Sequence, residues 1–346
     1  MTSLIEKLKA GADLNLDDVR QAVVLLLSDS VPARTKGEFL TLLHRKGESA
    51  NEIANFVHVL LERAVPLQIE EDDAPGPIID VCGTGGDGVN LFNVSTAVMF
   101  VLAAGGLTVI KHGNRHVTSL SGSADVLEAL GVPIDLEPED LRDCVKRLGV
   151  GFVYARLYHP AFRALAEMRS QLAGKNQRTI FNLLGPLLNP ARPKRQLIGV
   201  FSPRLTRTFA EVTRQLGRER AWIVNGMAND TLRMDDVSTI GPTTIAELDR
   251  GKITSAVLDT RWLGIPQASL DDLSGGDAKM NAQIVTKILS GTETGPKRDL
   301  IIANAAAGFV VAGQVREMNV GIAMAREQIE CGRALEKLRA LQAYRR

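Results

Sequence analysis

The sequence predicts an α/β protein: a small all-helical N-terminal domain plus a larger domain with a mainly parallel sheet flanked by helices. Three observations predict it. Residues 1 to about 66 carry helical periodicity alone, and an acidic linker with Gly and Pro, Glu70 to Pro77, follows them. From there apolar strand-like runs alternate with helical ones to the end of the chain, the pattern of βαβ units. The expected domains are residues 1–72 and 73–346. At 346 residues, 45% apolar and 23% charged, the chain has ample material for a core.

In the N-terminal part, Asn15 caps a helix reaching Leu27, and Pro32 suits the first turn of a helix ending near Gly47. Ser49 with Glu52 forms a capping box ahead of Ile53, Phe56, Val57, Leu60 and Leu61. Pro77 to Cys82 reads as a buried strand, followed by Gly83-Thr84-Gly85-Gly86-Asp87-Gly88. Ser95 and Thr96 open a helix to Ala104, and Leu107 to Ile110 is a strand delivering Lys111-His112-Gly113-Asn114-Arg115. Ser123 is the expected N-cap of a helix stopped by Gly131. Later helices are expected over 138–148, 159–172, 203–216, 277–289, 297–312 and 320–341, the last broken near Gly332. Strands are expected over 150–154, 196–201 and 221–225, with short ones from Ser238 to Leu258 around Gly241-Pro242.

A strand, a glycine loop and a helix start form an anion site, because unpaired N–H groups and the positive end of the helix dipole converge there. The spacing Gly83-x-Gly85-x-x-Gly88 also fits a dinucleotide fingerprint. Against that, Val89 to Val94 separate the glycines from the helix, and the next strand ends on cations where a ribose-binding acid belongs. No GK[ST] follows, which excludes a Walker loop. Two cations and an amide beside the loop suit phosphates.

Net charge of +1 gives no reason to expect nucleic acid or a membrane surface as partner. Three cysteines, Cys82, Cys144 and Cys331, form no metal or disulfide pattern, and Cys82 reads as buried filler. No leader and no membrane-spanning run is expected, so a reducing cytoplasm is the expected compartment.

Gly83-Thr84-Gly85-Gly86-Asp87, Asn93-Val94-Ser95-Thr96, Lys111 to Arg115 and Ser121 to Asp125, in this order, resemble the anthranilate phosphoribosyltransferase family. His159-Pro160, Arg169, Arg178 to Asn182, Gly185-Pro186-Leu187, Gly241-Pro242-Thr243, Asn281-Ala282 and Asn304-Ala305-Ala306 extend the resemblance over most of the chain. It implies an active site between the two domains, with part of residues 159–190 returning to the helical one. It also implies transfer of the phosphoribosyl group of phosphoribosyl pyrophosphate to the amine of anthranilate, with Mg2+ as cofactor and a homodimer as the assembly.

The resemblance assigns roles residue by residue. Lys111 and Asp87 are the implied catalytic groups. Gly83, Gly85, Gly86, Asp87, Asn93, Ser95, Thr96, Lys111 and Ser123 would bind phosphoribosyl pyrophosphate. Gly83, His112, Asn114, His159, Arg169, Gly185 and Pro186 would bind anthranilate, with the Arg169 fork on its carboxylate. Ser95, Asp235 and Asp236 would serve magnesium. Lys111 is expected as a point charge near the phosphates. Departures from the family pattern fall at Leu91, His116, Leu120, Phe162, Asp236 (usually Glu) and a segment over 172–177 longer than usual. A homologue with another aromatic acceptor and a non-catalytic phosphoribosyl pyrophosphate-binding paralogue remain open at this point.

Overall fold

The computed structural model describes residues 1–115, 120–165 and 177–345. Four helices open the chain: α1 (Thr2–Lys9), α2 (Leu16–Leu27), α3 (Ala33–Lys46) and α4 (Ala50–Leu61). Reciprocal capping boxes start two of them, Asn15 with Asp18 and Ser49 with Glu52. Glu52 also ties the bundle together. Its buried carboxylate accepts from the Leu14 amide at 3.0 Å and from Lys46 Nζ at 2.8 Å.

The chain then alternates: β1 (Ile78–Gly83), α5 (Val94–Ala104), β2 (Thr108–Gly113), α6 (Ser123–Ala129), α7 (Pro138–Leu148), β3 (Val150–Tyr154) and α8 (Ala155–Tyr158). Next come α9 (Phe181–Leu184), β4 (Arg195–Gly199), α10 (Leu205–Gln215) and β5 (Arg220–Met227). These five strands are parallel in the order β3-β2-β1-β4-β5. Three antiparallel strands complete the sheet. The short β6 (Arg233–Met234) pairs with β5, and β7 (Thr243–Asp249) and β8 (Lys252–Leu258) extend the edge. Four helices end the fold: α11 (Ala278–Leu289), α12 (Pro296–Ala312), α13 (Met318–Glu330) and α14 (Arg333–Ala343).

Two expectations are refined. The short strands expected between Ser238 and Leu258 are the two seven-residue strands of a hairpin, both of them after Gly241-Pro242. Arg250 and Gly251, at φ 45° and 87°, turn it, as a tight hairpin requires. Of the helix expected over 159–172, Pro160–Leu165 is a 3-10 stretch after α8, and residues 166–172 lie outside the described residues. The proline lacks an N–H and biases His159 away from helical geometry.

Two apolar cores result. One lies between a face of the sheet and α5, α11, α12, α13 and α14. The other joins the helical bundle, Ile180 to Leu188, α10 and the opposite face of β4, β5 and β7. The bundle therefore shares a continuous core with the sheet. Among the described residues no helix is long and apolar enough to cross a membrane.

Candidate active site

The site starts from a split in the sheet. β1 pairs with β2 only at Ile78↔Thr108 and Ile79↔Val109, whereas β1 stays with β4 to Gly83↔Gly199 and β2 stays with β3 to Gly113↔Tyr154. The parting strands open a cleft of about 320 Å³ at their carboxyl ends. The carboxyl ends of the strands are the usual binding sites of open α/β sheets.

The glycine loop forms one wall. Gly85, Gly86 and Gly88 take φ of 64°, 71° and 77°, which side-chain-bearing residues rarely adopt. The Gly85 amide, expected to face pyrophosphate, donates here to Asp235 Oδ2 at 2.7 Å. Arg178 Nη2 donates to the Gly86 carbonyl at 2.5 Å, and its guanidinium stacks on Phe201 at 3.9 Å.

The start of α5 is one residue earlier than expected, with Asn93 at the cap position. Ser95 faces the cleft. Thr96 does not: it is fully buried and is not part of the cleft lining. Asn93 is held by neighbours, its Oδ1 accepting from Ser121 Oγ at 3.0 Å and from Asn281 Nδ2 at 2.9 Å. Gly122, not Ser123, caps α6, because Asp125 reaches back to the Gly122 amide at 2.9 Å. Ser123 is the first helical residue and lines the cleft.

Lys111 is neither a solvated lysine nor a free cation in the cleft. It is 1% exposed, and its Nζ donates to the Val81 carbonyl at 2.7 Å. Arg115 also departs from the phosphate role read for the basic run. Its guanidinium binds Asp125, Glu128 and the Tyr154 hydroxyl. Asn114 lines the cleft, with its Oδ1 on the Arg115 amide at 2.8 Å.

His112 and His159 stand edge to face with ring centres 5.3 Å apart. His112 Nδ1 donates to the Gly185 carbonyl at 2.9 Å and His159 Nε2 to the Leu188 carbonyl at 2.7 Å, since a carbonyl only accepts. Burial lowers both, His112 to about 3 and His159 to about 4, so both rings are neutral. His112 Nε2 is left as a bare acceptor with no partner among the described residues. Phe162 packs on His159 and Phe181 at 5.4 and 5.9 Å, adding an apolar wall beside Gly185. Pro186 lies behind that wall, buried in the 3-10 turn Gly185–Leu187.

Asp235 and Asp236 lie on a turn between β6 and β7, opposite the glycine loop. Burial and the Asp235 carboxylate push Asp87 up to about 7. Burial, then Asp235 and Asp87, raise Asp236 well above the carboxylate range. Carboxyls that raise one another in a cleft suit a hard cation. No set of three or more His, Cys, Asp or Glu among the described residues forms a metal cage alone. Magnesium does not require one, because it keeps waters and substrate phosphates as ligands. Asp235, Asp236 and the nearby Ser95 hydroxyl therefore fit it. Cys82, at the same strand end, is pushed up to about 12 by burial and is no nucleophile.

Arg169 and His116 lie outside the described residues. Leu91 lines the cleft, whereas Leu120 is 61% exposed. Residues that the sequence reading left without a role stand out: Asn281 on Asn93, Arg178 on the glycine loop, and Gly199 and Gly226 beneath the acidic turn. Arg178 and Asn281 were visible only as members of the motifs Arg178 to Asn182 and Asn281-Ala282, and Gly199 and Gly226 only as small residues in strands.

Comparison with known proteins agrees with this geometry. Residues 75–335 match the model of the "Glycosyl transferase family, a/b domain", and residues 2–64 that of its "helical bundle domain". The anthranilate phosphoribosyltransferase of Acetivibrio thermocellus is 43% identical over 96% of this chain and 93% of its own. That of Rhodopseudomonas palustris is 42% identical over 99% and 97%. The Thermus thermophilus crystal structure superposes with a TM-score of 0.88 at 36% identity, covering 98% of both chains. The Saccharomyces cerevisiae enzyme, solved in complex with PRPP and Mg, gives 0.87 at 27% identity over 98% and 96%.

Proposed function

Because the chain belongs to the anthranilate phosphoribosyltransferase family, we propose that the cleft between β1 and β2 is where it does the family's chemistry, with the residue roles given below. It transfers the phosphoribosyl group of phosphoribosyl pyrophosphate to the amine of anthranilate, releasing pyrophosphate, a step of tryptophan biosynthesis. One observation carries the placement: a glycine anion loop and an acidic turn meet across the gap where the sheet splits.

Displacement at an anomeric carbon passes through an oxocarbenium-like state, with negative charge growing on the leaving group. The residues therefore have to orient and to complement charge. The amides of Gly83, Gly85 and Gly86 take the pyrophosphate, displacing Asp235 Oδ2 from the Gly85 amide. Ser95, Asn93 and Ser123 surround the sugar phosphate. Lys111 acts through its field from below, since its Nζ is occupied by Val81. Asp235, Asp236 and Ser95 hold magnesium, which when bound neutralises charge developing on pyrophosphate.

On the acceptor side the neutral histidines and Asn114 frame the amine, and Arg169 takes the carboxylate. The bare Nε2 of His112 suits an amine N–H, and the wall of Phe162, Phe181 and Gly185 suits the ring. A fall in anthranilate fluorescence on adding phosphoribosyl pyrophosphate and magnesium tests the activity; no fall would overturn it. Arg169→Ala should raise the anthranilate KM far more than that of phosphoribosyl pyrophosphate, and equal effects would remove Arg169 from the acceptor site.

The assembly is proposed to be a cytoplasmic homodimer through the helical bundle, supported by Leu16 and Val24, exposed on α2 at 36% and 52%. Light scattering giving a monomer mass would exclude it.

A further inference from the structure

Where β1 and β2 part, backbone groups that would have paired across the ladder are left buried. Side chains take their place. The His112 amide donates to Asp80 Oδ1 at 3.2 Å, the Val81 carbonyl accepts from Lys111 Nζ at 2.7 Å, and the Ile110 carbonyl accepts from Asn189 Nδ2 at 2.8 Å.

Asp80 is 0% exposed and faces the charges of Lys111 and Arg218. In the β1–β4 ladder it is the register partner of Gln196. Gln196 is equally buried. Its Nε2 donates to the Pro186 carbonyl at 3.0 Å and reaches Asp80 Oδ2 at 3.5 Å, while its Oε1 accepts from Arg218 Nε at 2.9 Å. The His112 ring closes the circuit through its 2.9 Å bond to the Gly185 carbonyl. A closed path thus runs from Asp80 to His112, to the Gly185–Pro186 turn, to Gln196 and back. Neither Asp80 nor Gln196 lines the cleft.

We propose that Asp80 and Gln196 are positioning residues for the transfer, fixing His112 and the Gly185–Pro186 turn as one acceptor-binding wall and setting Lys111 beside it. This rests on the reading of His112, Gly185 and Pro186 as acceptor subsite. The physical reason is that a split sheet has no ladder to hold its register, so the two parted ends need a fixed link. A buried hydrogen-bond network supplies one, its unpartnered atoms among the described residues being His112 Nε2, on the acceptor side, and Arg218 Nη2.

The test measures initial rates against both substrates, with thermal midpoints, for Gln196→Met, Asp80→Asn and His112→Ala. Gln196→Met keeps the volume and loses the bonds. It should raise the anthranilate KM at least tenfold, with kcat and the phosphoribosyl pyrophosphate KM within twofold. Asp80→Asn keeps an acceptor for the His112 amide but removes the charge opposite Lys111, so it should also lower kcat at least tenfold. His112→Ala should raise the anthranilate KM directly. A merely structural role would lower midpoints without this split between KM and kcat. If His112→Ala raises that KM but Gln196→Met leaves both KM values within twofold, the circuit does not position the site and the proposal falls. If His112→Ala changes nothing, the acceptor reading fails and the proposal with it. Should Asp80→Asn not fold, Gln196→Met decides alone.

Discussion

The backbone carbonyl oxygen of Asp235 lies 1.5 Å from the point where a Cβ on Gly199 would stand. No side chain fits there, and the obstruction is backbone. Two neighbouring strand ends are crowded as well, one by side chain and one by backbone. A Cβ on Gly83 would meet Asp235 Oδ2 at 2.1 Å, and one on Gly226 would meet the Asp236 carbonyl at 2.5 Å. β1, β4 and β5 each give up a side chain to seat the acidic turn against the glycine loop.

Gly199→Ala should therefore act on the turn. Forcing a methyl against backbone destabilises by about 1–3 kcal/mol. The turn must also move away from the Gly85 amide, so the magnesium concentration for half-maximal rate should rise severalfold. Denaturant unfolding and a magnesium titration measure both. An unchanged titration would separate the seat from the metal.

Asp235→Asn and Asp236→Asn should each raise the magnesium requirement and lower the rate at saturation. Their effect on the metal-free fold runs the other way. Asp87, Asp235 and Asp236 repel one another, so removing the charge of Asp236 should leave the metal-free midpoint unchanged or raise it. The parent should gain stability from added magnesium and Asp236→Asn should gain little. Equal gains in both proteins would place the ion elsewhere. Asp236→Glu, which restores the residue usual in the family, should keep activity if the turn can adjust by one methylene.

The buried histidines give a stability slope with a defined sign. Their folded values, about 3 for His112 and about 4 for His159, lie below the ordinary value near 6.5. Between about pH 6.5 and 4 the unfolded chain binds more protons than the native one. The contribution is complete above pH 6.5 and is lost as pH falls, by up to about 1.4 kcal/mol per pH unit for each ring. His159→Gln keeps a donor for the Leu188 carbonyl and does not titrate, so denaturant midpoints from pH 7 to 5 should fall less steeply than in the parent. Parallel slopes would mean that the ring is charged in the native state.

Much of this was legible in the sequence, and the exceptions share a cause. Caps such as Asn15 and Ser49 and the helix from Pro138 to Leu148 are set by neighbours in the chain, so local pattern suffices. The glycine loop was legible because three positive φ values demand glycine. What local pattern misses is the tertiary partner. Lys111 reads as a point charge near the phosphates until Val81 is found beside it, and the burial of Thr96 shows only once α5 is packed. Arg115 is drawn away by acids ten and thirteen residues on. The full length of the strands after Pro242 hides because Lys252 to Leu258 form an exposed edge, without the apolar alternation of a half-buried strand.

Arg178 was named only as part of a motif, yet it joins two pieces of the site. Its guanidinium is hydrogen-bonded to the Gly86 carbonyl, stacked on Phe201, and felt electrostatically by Asp87. It comes from the segment whose next residues, Ile180 to Leu188, are buried with the helical bundle. Among the described residues it has no carboxylate within salt-bridge distance. A cation so placed pins the loop and adds positive charge on the side of the proposed pyrophosphate site. Arg178→Ala should raise the phosphoribosyl pyrophosphate KM about tenfold or more, since a hydrogen bond from a charged donor is worth about 1.5–3 kcal/mol. The anthranilate KM should move much less. Arg178→Lys keeps the charge but loses the planar stack and should recover only part of the loss. Stability should barely change in either variant, because the side chain is exposed and its ring contact contributes about 0.5–1 kcal/mol at such a site. If Arg178→Ala shifts both KM values equally, the residue acts on the cleft as a whole, and a specific role at the leaving group is excluded.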